Sequence, residues 1–180
     1  MAALLALAGS CGQTSRAQLD QEAPPVRFAL HSAAFADGER IPQHHTCEGE
    51  DLSPPLRWSG VPSGTRSFAL VCEDPDAPGG LWVHWVLFDL PADSRELAAG
   101  LPKTGVLASG ARQGLNDFGR LGYDGPCPPR GHGPHRYVFR LFALEAPAGL
   151  RGGATRKELL AAIEGHVLGE ARLTGTYERK

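Results

Sequence analysis

Three features that would each settle a class of function are missing from this chain of 180 residues: a basic stripe, an apolar run long enough to cross a bilayer, and a regular alternation of strand and helix patterns. Lys plus Arg number 18 against 20 for Asp plus Glu, and the charges are scattered. A phosphate backbone is neutralised by clustered Lys and Arg, so nucleic acid is excluded as a partner. The apolar opening "MAALLALAGS" falls well short of the ~20 residues that a spanning helix requires. No serine sits on a Gly-x-Ser-x-Gly elbow, so no activated serine nucleophile is signalled.

What is present points to one compact β-rich unit. Gly (23) and Pro (15) are abundant while hydrophobic residues still make up 42%, which predicts many short elements joined by tight turns rather than disorder. The length suits a single domain, placed at 26–180. Residues 1–25 are read separately, as an apolar segment followed by a polar, Pro-ended tether. "LAGSC" is similar to a lipobox, with Cys11 as the lipidated residue. It departs from one in having no positive n-region and in placing Leu7 one position early. The expectation is export, as a periplasmic protein or membrane-anchored lipoprotein. The alternative is a cytoplasmic protein with an inert apolar tail.

Along the body, "VRFAL" (26–30), "SFALVCE" (67–73), "WVHWVLFDL" (82–90), "RYVFRLFALEA" (136–146) and "EARLTGTYER" (170–179) read as strands. In the last, Ala171, Leu173, Gly175 and Tyr177 share a face. Residues 35–58 read as mainly loop. Thr155 with Glu158 forms a capping box before Leu159, Leu160 and Ile163, and Gly165 ends that helix. Residues 105–135 are almost pure turn chemistry, and a loop of that length is either functional or wrongly assigned. The fold class predicted is mainly β and largely antiparallel. Of the three cysteines in the body, Cys72 reads as a buried small hydrophobe. Cys47 and Cys127 lie in polar or proline-rich loops and are the suspected pair if the chain is exported.

Two stretches carry chemistry. "EDPDAP" places Asp74 and Asp76 at a strand's end on a turn stiffened by Pro75 and Pro78. His84 follows inside an apolar strand, and alternation puts it on the face of Trp82. "YDGPCPPRGHGPHRY" is rigid and poor in donors. Gly125 and Cys127 carry the only amides of "GPCPP", beside Pro129, and such a loop can aim one or two N–H groups at an anion. His135 and Tyr137 share a face at the start of the following strand. Each piece has a plain reading as a core histidine, a turn or a lid. Together they predict a pocket for an anion or small ligand, because so many polar groups are costly to bury without purpose.

These same stretches resemble the phosphatidylethanolamine-binding protein family, also called the Raf kinase inhibitor protein family, in its bacterial branch. The likeness runs from about Phe28 to the C-terminus through "TCEGEDLSPPLRWSGVPSGTRSFALVCEDPDAP", "WVHWVLFDLP", "GLNDFGRLGYDGPCPPRGHGPHRYVFRLFAL" and "EGHVLGEARLTGTYER". It implies a Greek-key fold with a central antiparallel sheet, a smaller second sheet and one or two short helices. It also implies a small, mostly preformed cavity for a phosphate- or carboxylate-bearing ligand, with no cofactor. Carried over, the site comprises Asp74 and Asp76, His84 behind Trp82, Gly125 and Cys127 as donors with Pro129, and His135 and Tyr137 as the far wall. Asp74 is expected to orient an imidazole rather than meet the anion. Mammalian members have glycine at the position of Cys127, a longer stretch at Gly79 and Gly80, and a C-terminal helix absent here, so a more open mouth is expected. A kinase or protease target and a homodimer are further implications.

The function expected is therefore non-catalytic ligand binding with a regulatory role. Two alternatives stand beside it. One is an enzyme using Asp74 and His84 as a general acid–base pair on a small phosphoester or carboxylate. The other is a metal site of Asp74, Asp76, His84 and His135. His44 and His45 read as loop residues, His132 as exposed and able to reach the rim, and His166 as a cation suited to the helix C-terminus.

Overall fold

A computed structural model describes residues 27–180. The apolar segment with its lipobox-like Cys11 and the whole of the tether therefore lie outside the described residues. In chain order the elements are β1 (Ala29–His31), β2 (Leu56–Ser59), β3 (Ser67–Asp74), β4 (Trp82–Pro91), β5 (Glu96–Leu97), β6 (Arg112–Gln113), β7 (His135–Leu144), α1 (Arg156–Ile163) and β8 (Val167–Tyr177). They form two antiparallel sheets, ordered β1-β2-β5 and β6-β4-β3-β7-β8. The mainly-β class, with a central sheet, a smaller second sheet and a short helix, is as the sequence predicted.

The apolar run 67–74 becomes the middle strand because both of its faces are apolar. All eight residues of β3 are buried. Phe68, Leu70 and Cys72 face the small sheet, packing with Leu30, Leu56 and Trp58. Ala69 and Val71 face the other way, toward Leu159 and Ile163 of α1. Eight residues are too few to hold a helix in isolation. The complete capping box of Thr155 and Glu158 starts α1, and full burial of Leu159 and Ile163 contributes about 1.5–3 kcal/mol each.

Three segments differ from the sequence reading. β1 occupies Ala29–His31 rather than 26–30, and Val26 lies outside the described residues. Within the stretch read as loop, Leu56 and Trp58 alternate inward to make β2. The long turn-rich segment is held against β4 by hydrogen bonds from Gly114 N to Val86 O, Asp117 N to Val83 O and Asp124 N to His84 O. It supplies the short strand β6 and then wraps the end of the central sheet.

A β-bulge on β4 positions the site. Cys72 pairs with Trp85 and Glu73 with Val83, so one residue of β3 is matched by two of β4 and His84 is the extra one. Val83 accordingly packs on the helix side while Trp85 packs on the small-sheet side, although they are two residues apart. An inserted residue bends the strand and re-aims its side chain.

Candidate functional site

The site is assembled from the ends of three adjacent strands. Asp74 closes β3 opposite Trp82 of β4, and β7 begins on β3's other side with His135 and Tyr137. Asp74 is buried, and its two oxygens have different tasks. Oδ1 accepts the Asp76 amide at 2.8 Å, fixing the turn. Oδ2 accepts Nδ1–H of His135 at 2.7 Å, with both side chains almost wholly buried. Asp76 then reaches out to Arg136, accepting its amide at 3.0 Å and its guanidinium at 2.8 and 2.7 Å. The two acids of "DPD" thus tie the end of β3 to the start of β7, one beneath the surface and one upon it. The second nitrogen of His135, Nε2, meets Nδ1 of the exposed His132 at 2.8 Å.

His84 is buttressed from behind. Its Nδ1 lies 2.6 Å from the Asp124 carbonyl, which can only accept, so Nδ1 carries the proton. Its ring edge meets Phe118 and Tyr137 at centroid distances of 5.4 and 5.1 Å. Burial pushes the imidazole's pKa below its ordinary value, against the opposing pull of the Asp124 backbone and the Asp74 charge. The carboxylate of Asp124 is itself secured, accepting from Lys103 at 2.9 Å, Asn116 at 2.6 Å and the Arg120 fork at 2.9 Å on both oxygens. Lys103 also bonds Asp51 at 2.6 Å.

The proline-rich loop forms the opposite wall. Cys47 and Cys127 are joined in a disulfide across 80 residues, with Cα atoms 5.4 Å apart. The Cys47 amide donates to the Pro126 carbonyl at 3.1 Å. Between the loop and the strand ends lies a cavity of about 240 Å³, lined by Asp74, Ala77, Pro78, Gly79, Trp82, His84, Phe118, Cys127, Pro128, Pro129 and His135. That is smaller than the ~300–1,000 Å³ of drug-sized sites, so it has room only for a small group. A larger open groove of about 650 Å³, between residues 27–37 and 170–173, contains none of the predicted residues.

Of the predicted site, Asp74, Trp82, His84, Cys127, Pro129 and His135 border this one cavity. Trp82 and His84 do so across the bulge rather than by plain alternation. Three residues do not line it. Asp76 is turned outward to Arg136. Tyr137 is sealed beneath, its hydroxyl buried without a hydrogen-bond partner. Gly125 is buried and donates its amide to Asp51 Oδ1 at 2.7 Å, so it is not the anion donor expected of it. The proposed metal set does not converge either, because Asp74 and Asp76 are turned to amides, His135 and Arg136. Among the described residues no group of three or more His, Cys, Asp or Glu side chains could hold a metal ion.

One lining neighbour was not foreseen, whereas His132, read as exposed and able to reach the rim, does meet the site through His135. Phe118 lines the cavity and packs edge-on against Trp82 at 5.4 Å. His132 completes the line from Asp74 through His135. The available signal for Phe118 was "NDF": Asp117 Oδ2 accepts the Val83 amide at 2.7 Å and so clamps this turn to the bulged end of β4.

A family model described as Phosphatidylethanolamine-binding protein matches residues 31–178. A UPF0098 protein of the archaeon Methanothermobacter thermautotrophicus is 53% identical over 150 residues, covering 83% of this chain and 98% of its own length. One from Aquifex aeolicus is 50% identical over 151 residues, covering 83% and 88%. Among solved structures, Escherichia coli YbcL, described as a new member of the mammalian PEBP family, has a TM-score of 0.81 at 36% identity, covering 86% of this chain and 100% of that one. A homolog from Chlamydia trachomatis has a TM-score of 0.77 at 40% identity, covering 85% and 98%.

Proposed function

This chain belongs to the phosphatidylethanolamine-binding protein family, and on that premise we propose that it is a non-catalytic binding protein whose cavity takes the phosphate- or carboxylate-bearing end of a small ligand. One observation carries the reading: an imidazole fixed from behind, a second imidazole held by a buried carboxylate, and a stiff prolyl wall surround one small cavity whose mouth is aromatic. A polar floor under an apolar rim matches a ligand with an acidic end and an apolar remainder. Trp82 and Phe118, each 37% exposed, form that rim. Regulation of a kinase or protease is the finer part of this proposal, and the rim is the surface it would use. Against catalysis, no serine or threonine lines the cavity, and the sulfur of Cys127 is held in the disulfide.

The test is calorimetric titration of orthophosphate, and separately of zinc, into the wild type and His84→Ala. Saturable phosphate binding without metal, lost in the variant, is the expected result. Absence of phosphate binding by the wild type overturns the reading. Steady turnover of p-nitrophenyl phosphate that disappears with His84→Ala replaces it with the enzyme alternative.

A further inference from the structure

The cavity proposed to hold an acidic group contains no fixed positive charge. No Lys or Arg lines it, and the one formal charge on its wall is the carboxylate of Asp74. The available hydrogen-bond donors can be counted. His135 has both nitrogens engaged, Nδ1 by Asp74 and Nε2 by His132. The Tyr137 hydroxyl is sealed from the cavity, and the Gly125 amide serves Asp51. The amides of Cys127, Ala77 and Gly79 and the indole N–H of Trp82 have no acceptor among the described residues, so the free donors at this wall are neutral N–H groups and none carries charge. His84 has its Nδ1 proton committed to the Asp124 carbonyl, so while the ring is neutral Nε2 presents a bare lone pair. That nitrogen has no hydrogen-bond partner among the described residues. A fully ionised oxyanion entering here would meet a lone pair and a negative charge, in surroundings where Coulomb terms are stronger than in water.

We propose that the cavity takes up its acidic ligand together with one proton, held between Nε2 of His84 and the facing ligand oxygen. The inference rests on the reading of this cavity as an acid-headgroup site. One proton converts His84 from an acceptor into a charge-assisted donor and sets a cation against the incoming anion. The surroundings favour this once the ligand is present. On the β3 side Asp74 stabilises an imidazolium, and the β7 side contributes His135. From the loop behind, the Asp124 carboxylate is offset by Lys103 and Arg120. The pair Asp76–Arg136 is neutral as a unit and stands outside the cavity. In the empty protein burial disfavours the charged ring, so the proton arrives with the ligand rather than before it. By linkage the preference is reciprocal: low pH tightens binding and bound ligand raises the affinity for the proton.

The experiment uses dimethyl phosphate, a monoanion with no titration of its own near neutrality, and orthophosphate as second probe. Binding is measured by calorimetry in two buffers of different ionisation enthalpy. Uptake approaching one proton per ligand is expected, with affinity for dimethyl phosphate falling about tenfold per pH unit across the upper part of the range from about pH 5.5 to pH 8. His84→Gln, whose amide donates without being charged, is expected to bind with that slope lost, and near-ultraviolet circular dichroism verifies its fold. Binding by the wild type with no proton uptake and no pH dependence overturns the inference while leaving the anion site intact. A folded His84→Gln protein that keeps the full pH slope overturns the assignment to His84. Failure of both probes to bind at any pH overturns the anion site and this inference with it.

Discussion

His84 and Asp124 are tied together twice: His84 Nδ1 donates to the Asp124 carbonyl at 2.6 Å, and the Asp124 amide returns a bond to the His84 carbonyl at 3.0 Å. The pairing lets a loop residue 40 positions away hold the bulged histidine in place. It is only as firm as Asp124, whose side chain is 4% exposed and faces Lys103 and Arg120. Burial alone would push this carboxyl's pKa up, but hydrogen bonds from Arg120, Lys103 and Asn116 outweigh it and hold it below the ordinary 3.8. Asp124→Asn should cost about 2 kcal/mol in urea unfolding, because Arg120, Lys103 and Asn116 lose a buried charged acceptor, although Arg120 is largely solvated and Lys103 keeps Asp51. Since the folded carboxyl titrates low, its stabilisation is present above the ordinary value and lost as pH falls below it. The variant's deficit should therefore shrink in acid, which unfolding at successive pH values would measure.

The disulfide closes a loop of 80 residues and holds Cys127 at the cavity wall. Cys47 is exposed and Cys127 half-buried, so small thiol reductants have access. Loop-closure entropy for that separation corresponds to about 4.5 kcal/mol. Thermal melts with and without dithiothreitol should differ by roughly 10 °C, and Cys47→Ser/Cys127→Ser should melt with the reduced wild type. Equal melting points of oxidised and reduced protein would contradict this.

Much of the architecture is legible in the sequence because burial leaves a pattern there. β3, β4 and β7 are long Val-, Phe- and Trp-rich runs, and α1 announces itself through the pairing of Thr155 with Glu158. β2 is hidden because a four-residue strand amid prolines and serines has only Leu56 and Trp58 to mark it. The bulge at His84 is hidden for a different reason. In a strand buried on both faces, neighbouring apolar residues look alike whichever way they point, so a one-residue slip has no compositional trace. The support of Asp124 joins residues 21 and 52 positions apart through Lys103, a relation that local pattern does not encode. Flanking prolines likewise make the Gly125 and Cys127 amides look equivalent, although the first serves Asp51.

Gly125 is required for space rather than for its amide's reach into the cavity. A Cβ there would overlap the His45 carbonyl and stand 2.9 Å from both Asp51 Oδ1 and the Thr46 Cα. Backbone atoms cannot swing aside, so Gly125→Ala should displace the prolyl wall. A loss of about 2–3 kcal/mol is expected from overpacking, with ligand affinity reduced as well. Gly131 is the control: its φ is +74° and nothing lies within 4 Å of an added Cβ. Gly131→Ala should cost about 1 kcal/mol through backbone strain alone and leave the wall in place. Denaturation curves and a phosphate titration of both variants distinguish the two.

Asp76 gives the clearest acid-range signature. The guanidinium of Arg136 holds its carboxyl down at about 2, against an ordinary 3.8; burial opposes it, and the Arg136 amide and charge add to the lowering. A depressed carboxyl stabilises the fold above its unfolded value and loses that contribution as pH falls through the folded one, so the window here runs from 3.8 down to about 2. The pair is largely solvated, and salt will screen it, so titration is a better readout than unfolding energy. Carbon-detected NMR of the Asp76 carboxyl should give a midpoint near 2 in the wild type. Arg136→Gln, which keeps the backbone donor, should move that midpoint most of the way back toward 3.8. Because Asp74 accepts the Asp76 amide but does not touch Arg136, the His135–Asp74 contact should survive, with the His135 ring signals unchanged. Movement of those signals with the substitution would mean that the outward pair and the buried pair act as one unit.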